Sequence, residues 1–242
     1  MSETSHEQRG VLPEGAIVLS HGGETLWLLR ERAAYWVERS TLLIADVHLG
    51  KAEAMQAHGV AVPACVGDES LTRISHAVKV TGAKRVIVLG DLLHAPVGVT
   101  AGLLERVSRW RGTLEADLCL VPGNHDAAAA RVVGVWGIRL LEAVHEEGGL
   151  TLKHVPPPGL VERAHVAGHV HPALSVRTGR GPGKVACFHV CGGEACGGGS
   201  GGGNGGGTLV LPAFSRFTGG VSVRRVRGQR LFAVTDEGVV EA

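Results

Sequence analysis

No apolar run in the sequence approaches the ~20 residues that a helix needs to cross a bilayer, so helical membrane proteins are excluded. The first ten residues, MSETSHEQRG, lack a basic start with an apolar stretch behind it, so no secretory signal is expected. Cysteines are few and odd in number: Cys65, Cys119, Cys187, Cys191 and Cys196, with no CxxC pair. That pattern argues against a disulfide framework and against a cysteine-built zinc site, and it fits reduced thiols in a cytoplasmic protein. An excess of one charge is also missing, with 24 Lys+Arg against 23 Asp+Glu. A net charge of +1 argues against a general basic coat for nucleic acid, though not against a local basic surface. Neither an internal repeat nor a linker between independent domains is visible.

What is abundant is apolar material (44%), glycine (37 residues) and histidine (13 residues). After a tail expected over residues 1–15, residues 16–242 read as a single domain. Alternating segments at 16–20, 25–30 and 33–38 predict short antiparallel strands. Continuous apolar runs at 41–46, 85–91 and 117–121 predict strands buried on both faces. Between them, 66–80 has helical spacing, with Leu71, Ile74, Ala77 and Val78 on one face, and 103–110 reads as a helix. This alternation indicates an α/β layered domain. Strand-like segments at 149–154, 164–171, 173–178, 184–190, 208–214 and 230–236, with few helices between them, predict a second, mostly antiparallel sheet against the first. The glycine run at 192–207 reads as a flexible surface loop. A phosphate-cradling role would require a helix to follow it, and a strand follows instead.

The histidines are informative by position. Asp46 and His48 follow the first buried strand, Asp91 and His94 the second, and Asn124, His125 and Asp126 the third. His154 ends the strand at 149–153, and His169 and His171 follow the strand at 164–167. Strand C-terminal ends in α/β sheets are where ligands bind. Carboxylate, imidazole and amide oxygen are donors for Mn²⁺, Fe or Zn²⁺. Asp46, His48, Asp91, Asn124, His154, His169 and His171 are too many for one ion and suit two that share a carboxylate. Residues two apart, as in Asp46-x-His48 and His169-x-His171, share a face of a regular strand, so each pair is expected to converge on one site.

The ordered set DVHLG, GDLLH, GNHD, KH and GHVH resembles the calcineurin-like binuclear metallophosphoesterases. With HGVAVP and LPAFSRFTGG added, the chain looks most like their DNA ligase-associated branch of bacterial repair endonucleases, over roughly residues 15–235. The resemblance implies a four-layer α-β-β-α sandwich of two packed mixed sheets. It implies Asp46, His48 and His171 on one metal, Asn124, His154 and His169 on the other, and Asp91 bridging. His94 and His125 match phosphate-contacting histidines, and Asp126 matches a residue that orients His125. The implied activity is Mn²⁺-dependent cleavage of single-stranded DNA, with a metal-activated hydroxide as attacking group. An association with an ATP-dependent DNA ligase and a helicase is implied as well. Phe214 and Arg216 are candidate substrate contacts. Phe214 and Phe217 as core residues is an equally good reading. Arg216, Arg224, Arg225 and Arg227 form either a DNA patch or a solvated face. Two other functional classes stay open: a small-molecule (nucleotide or cyclic nucleotide) phosphoesterase, and a non-catalytic metal-binding scaffold. The scaffold is disfavoured by the presence of both His94 and His125.

Overall fold

The computed structural model describes residues 11–63, 67–159, 161–179, 181–192 and 206–242. The first sheet holds β1 (Ile17–His21), β2 (Glu24–Leu29), β3 (Ala33–Trp36), β4 (Thr41–Ile44), β5 (Arg85–Leu89), β6 (Asp117–Val121) and β7 (Ile138–Leu140), side by side in that order. β1 to β4 are antiparallel neighbours, and β4 to β7 run parallel. Parallel neighbours need crossovers. α1 (Lys51–Ala57) and α2 (Asp68–Thr81) cross from β4 to β5, and α3 (Ala101–Arg111) crosses from β5 to β6.

Period-two alternation along these strands builds two cores. Leu42, Ile44, Val86, Val88, Leu118 and Leu120 face the helices, where Leu71, Ile74, Ala77 and Val78 of α2 and Leu103 and Val107 of α3 cover them. Leu43, Ile87, Leu89, Cys119 and Val121 face the other way, onto Leu150, Leu152, Val166, Phe188, Leu209 and Phe232 of the second sheet. Burial on both faces is why β4, β5 and β6 read as unbroken apolar runs.

The second sheet contains β8 (Val144–Glu147), β9 (Leu150–Lys153), β10 (Ala164–Ala167), β11 (Pro172–Thr178), β12 (Gly181–Gly192), β13 (Gly207–Val210), β14 (Val221–Ser222), β15 (Arg230–Val234) and β16 (Val239–Glu241). It is mixed: β9, β10 and β13 pair in parallel, and β12 pairs antiparallel with β11, β13 and β15. The two packed mixed sheets of the expected α/β sandwich are therefore present. The helices lie on the first sheet, and among the described residues no α-helix follows β7. Much of the later chain connects antiparallel neighbours, which need no helical crossover.

Gly15 O accepts a hydrogen bond from Val239 N at 2.8 Å, which ties the chain into β16 before residue 16. The interior of the glycine run, residues 193–205, lies outside the described residues. Its ends are antiparallel partners, Gly192 beside Gly207. No described helix is long and apolar enough to cross a membrane.

Candidate metal centre

β4, β5 and β6 run parallel in one sheet, and β9 and β10 run parallel in the other, so each set delivers its C-terminal ends to one edge. The turns that leave these strands are bonded to one another. Asp46 N donates to Gly90 O (3.1 Å), His48 N to Asp91 O (2.9 Å), His94 N to Leu49 O (2.9 Å) and Gly168 N to His154 O (2.9 Å). Three glycines let the turns close on the functional side chains. A Cβ at Gly123 would lie 2.5 Å from Asp91 Oδ1, and one at Gly168 would lie 2.8 Å from Asp46 Oδ2. A Cβ at Gly90 would overlap the His154 ring.

Two donor clusters result. Asp46, His48 and His171 form one, and Asp91, His154 and His169 form the other, with donor atoms in each within 4.8 Å of one another. Asn124 joins the second cluster through Oδ1, 2.9 Å from His154 Nε2. The same His154 nitrogen lies 3.4 Å from Asp91 Oδ1 and 3.2 Å from His169 Nδ1. Asp91 Oδ2 faces the other way, 3.9 Å from His48 Nε2 and 3.9 Å from His125 Nε2. Asp91 therefore stands between the clusters.

The donors suit cations better than they suit each other. His154 Nδ1 lies 2.9 Å from Leu89 O, and a carbonyl only accepts, so Nδ1 carries the proton. A neutral His154 then points a bare Nε2 at a carboxylate, an amide oxygen and another imidazole. Burial pushes the His154 pKa down, but the Asp91 carboxylate and the Leu89 carbonyl outweigh it, and the net shift is upward. A proton or a metal must occupy that point. In the first cluster Asp46 Oδ1 and His171 Nε2 approach to 3.1 Å without hydrogen-bond geometry, and both are buried atoms without a hydrogen-bond partner, as is His48 Nδ1. Burial, only partly offset by Asp91, drives His48 down to about 3, so its imidazole is neutral, the form that ligates. Burial also raises the Asp91 carboxyl, yet bonds from His154 and the His125 backbone N–H dominate and hold it at about 2.

Contrary to expectation, Asp46-x-His48 and His169-x-His171 do not lie on the face of a regular strand. These residues lie past the ends of β4 and β10, in turns, and all four have positive φ, 58°, 51°, 70° and 52° for Asp46, His48, His169 and His171, whereas the intervening Val47 and Val170 do not. Turn geometry, not strand pleat, aims them, and it sends His169 and His171 to different clusters.

His94 and His125 stack above the centre, with ring centroids 5.8 Å apart and planes 9° apart. Each ring also stands edge-on to His48 at 5.4 and 5.5 Å respectively. His125 is oriented by the His94 carbonyl, which accepts from its Nδ1 at 2.8 Å. Asp126 bonds to the backbone of the turns and not to the ring. Its carboxylate is occupied by two backbone donors, Leu93 N at 3.0 Å and Gly123 N at 2.9 Å. Asp126 thus ties the turn after β5 to the turn after β6, the turns that carry His94 and His125.

Of the candidate substrate contacts, Phe214 is a core residue. It is 0% exposed, and the Arg73 guanidinium lies over its ring at 4.4 Å. Its backbone N donates to Ala45 O at 2.8 Å and the next residue, Ser215, donates to Asp46 O at 3.2 Å, so the segment braces the first cluster from below. Arg216 is exposed and lies 3.5 Å from Glu69, lining a surface cavity of about 610 Å³ with Glu31, Arg73 and His76. Arg224, Arg225 and Arg227 are exposed. Sequence reasoning gave Lys51 no role at the site. It shares a small recess with His48, Ser215 and Phe217. Its position directly after DVHLG was the available signal. Among the other histidines, His21 is buried at the end of β1, with Nε2 2.9 Å from His165 O.

Fold and donors together support a metal-dependent phosphoesterase: two packed sheets whose strand ends carry clusters that fit a dinuclear metal site. The chain is similar to the Pseudomonas putida nuclease MPE, at 28% identity and TM-score 0.72, covering 94% of this chain and 100% of that one. It also matches Yfce, a phosphoesterase from E. coli, at 14% identity and TM-score 0.40, covering 81% of this chain and 88% of that one. No family model matches the chain, and no curated protein does.

Proposed function

We propose that this protein is a manganese-dependent phosphodiesterase that cuts single-stranded DNA endonucleolytically, in DNA repair, in association with an ATP-dependent DNA ligase and a helicase. The observation that carries the hydrolytic part is Asp91, whose two oxygens face separate donor clusters beneath the stacked His94 and His125. In this reading Asp46, His48 and His171 hold one ion, Asn124, His154 and His169 hold the other, and Asp91 is shared. Two divalent ions, when bound, acidify a water and offset charge on phosphate oxygens.

The chain's own groups do the rest. His125 Nδ1 carries a proton because its partner, the His94 carbonyl, only accepts. Its Nε2 is then the atom that gains and gives a proton, and it faces the centre, 3.9 Å from Asp91 Oδ2. From there it protonates the leaving oxygen as general acid. His94 is kept towards its neutral form by burial and by the nearby charges of Lys51 and His125, and it offers a hydrogen bond to a phosphate oxygen. Likeness to the Pseudomonas putida nuclease supports a nucleic-acid substrate.

The test uses Mn²⁺, circular single-stranded DNA and bis-p-nitrophenyl phosphate. Linearisation of the circle together with release of nitrophenol is the expected result. Hydrolysis of the small ester alone would sink the nuclease reading, and inertness towards both would sink the hydrolase. Metal analysis of protein as purified decides between manganese, iron and zinc.

A further inference from the structure

Lys51 is placed where a lysine does little for stability. It is the first residue of α1, and a cation at a helix N-terminus opposes the helix dipole. Among the described residues no carboxylate lies within ion-pair distance of its ammonium. It is half-buried, and its Nζ lies 5.5 Å from the centroid of the Phe217 ring. Phe217 is also half-buried, in contrast to the fully covered Phe214, so part of it faces solvent. Both residues share a recess with His48. Lys51 is near enough to His94 for its charge to hold that imidazole down. A cation and a partly open aromatic ring thus stand side by side at the rim of the donor clusters.

An anion fits the cation, and a flat unsaturated ring fits the exposed part of Phe217. Single-stranded nucleic acid presents both at each nucleotide, a phosphate on the backbone and a base that can stack on an aromatic side chain. A small ester with a single phosphate, a cyclic nucleotide included, gives that phosphate to the centre and leaves none for Lys51. We propose that Lys51 and Phe217 form the subsite for the nucleotide next to the scissile phosphate, Lys51 meeting its phosphate and Phe217 its base. This rests on the phosphodiesterase reading above and extends it to how the strand is held.

Two measurements on the full chain separate this proposal from that reading. The first is binding of a fluorescent single-stranded oligonucleotide to metal-free protein, followed by anisotropy over a range of salt concentrations. Lys51→Ala should weaken binding about tenfold, the loss of one hydrogen bond to a charged group. It should also lower the slope of log K against log salt by about 0.7, one phosphate on a single strand. Lys51→Arg should restore the slope, and Phe217→Leu should weaken binding with the slope unchanged. The second is turnover with Mn²⁺: Lys51→Ala should raise KM for the oligonucleotide more than it lowers kcat, and should lose less on bis-p-nitrophenyl phosphate. An unchanged salt slope overturns the proposal, as does an equal loss on both substrates. A parent protein inert towards both the oligonucleotide and bis-p-nitrophenyl phosphate would instead overturn the phosphodiesterase reading, and the binding slope would still decide the role of Lys51.

Discussion

Gly90 and Gly59 offer a matched pair of substitutions that tests whether the turn after β5 exists to seat His154. Their φ angles are 77° and 80°, both in the left-handed region. Alanine in that conformation costs about 1–2 kcal/mol through the Cβ–carbonyl clash alone. Nothing lies within 4 Å of a Cβ at Gly59, so Gly59→Ala should show that cost and no more. A Cβ at Gly90 would overlap Nδ1 and Cγ of His154 and lie 2.7 Å from its Cβ. The ring has little room to move, since His154 is 4% exposed and its Nδ1 is bonded to Leu89 O at 2.9 Å. Overpacking adds about 1–3 kcal/mol, and loss of the imidazole's hydrogen bond about 1 kcal/mol more. Gly90→Ala should therefore cost roughly 3–6 kcal/mol in total, at least about 2 kcal/mol more than Gly59→Ala. Urea unfolding of the metal-free proteins reads the difference. Elemental analysis after dialysis in Mn²⁺ reads its consequence: Gly59→Ala keeps the parent's metal content and Gly90→Ala loses the ion at the His154 cluster. Equal destabilisation of the two variants, with equal metal content, would refute the reasoning.

His125→Ala should retain parent-like metal content and lose about 10²–10⁴ in kcat, the range for a general acid; a full rate would remove His125 from the mechanism. Phe214→Ala should cost about 3–5 kcal/mol in urea unfolding as a core truncation, whereas a surface stacking residue would cost little. Asp91, held at about 2 against an ordinary 3.8, contributes stability that is whole above its unfolded value and is lost as pH falls through the folded one. Unfolding midpoints of the metal-free parent should therefore fall more steeply than those of Asp91→Asn between about pH 4 and 2, and parallel curves would count against the ionised carboxylate. Cys187, fully buried with its thiol pushed up to about 12, should stay unlabelled by a thiol reagent in the folded protein and react only after denaturation.

How far the sequence disclosed this arrangement depended on how local each signal was. β4, β5 and β6 were legible because burial on both faces leaves an apolar run that needs no partner to be recognised. The helical face of α2 showed through the helical spacing of Leu71, Ile74 and Ala77 on one face. α1 did not, since its seven residues bury only Ala52 and Ala54. β7, β8, β14 and β16 span two to four residues each, too short to show a period. At the centre, the order of Asp, Asn and His along the chain told which residues gather. It did not tell that Asp126 spends its carboxylate on Leu93 and Gly123, or that Phe214 turns inward under Arg73. Those depend on contacts between residues more than thirty positions apart or on backbone turns that residue type does not encode.

The turns also carry a cost that explains their construction. Seven described residues other than glycine have positive φ, and five of them are Asp46, His48, Asp91, His169 and His171. Left-handed backbone is uncommon outside glycine, and Asp, Asn and His tolerate it better than most residues. At about 1–2 kcal/mol each, the five together amount to a sum comparable to the whole stability of a typical domain. They persist because the turns restrain one another. Asp46 N is bonded to Gly90 O and His48 N to Asp91 O, while Asp46 Oδ2 accepts His169 N at 2.9 Å across the two sheets. One carboxylate oxygen of Asp46 is therefore spent on holding the sheets in register, which leaves Oδ1 buried, unpartnered and aimed at the cluster. The strain and the orphaned oxygen have the same origin: backbone is bent away from its preferred conformation so that donors from five strands meet at one point. That is an arrangement a folding core does not need and a metal centre does.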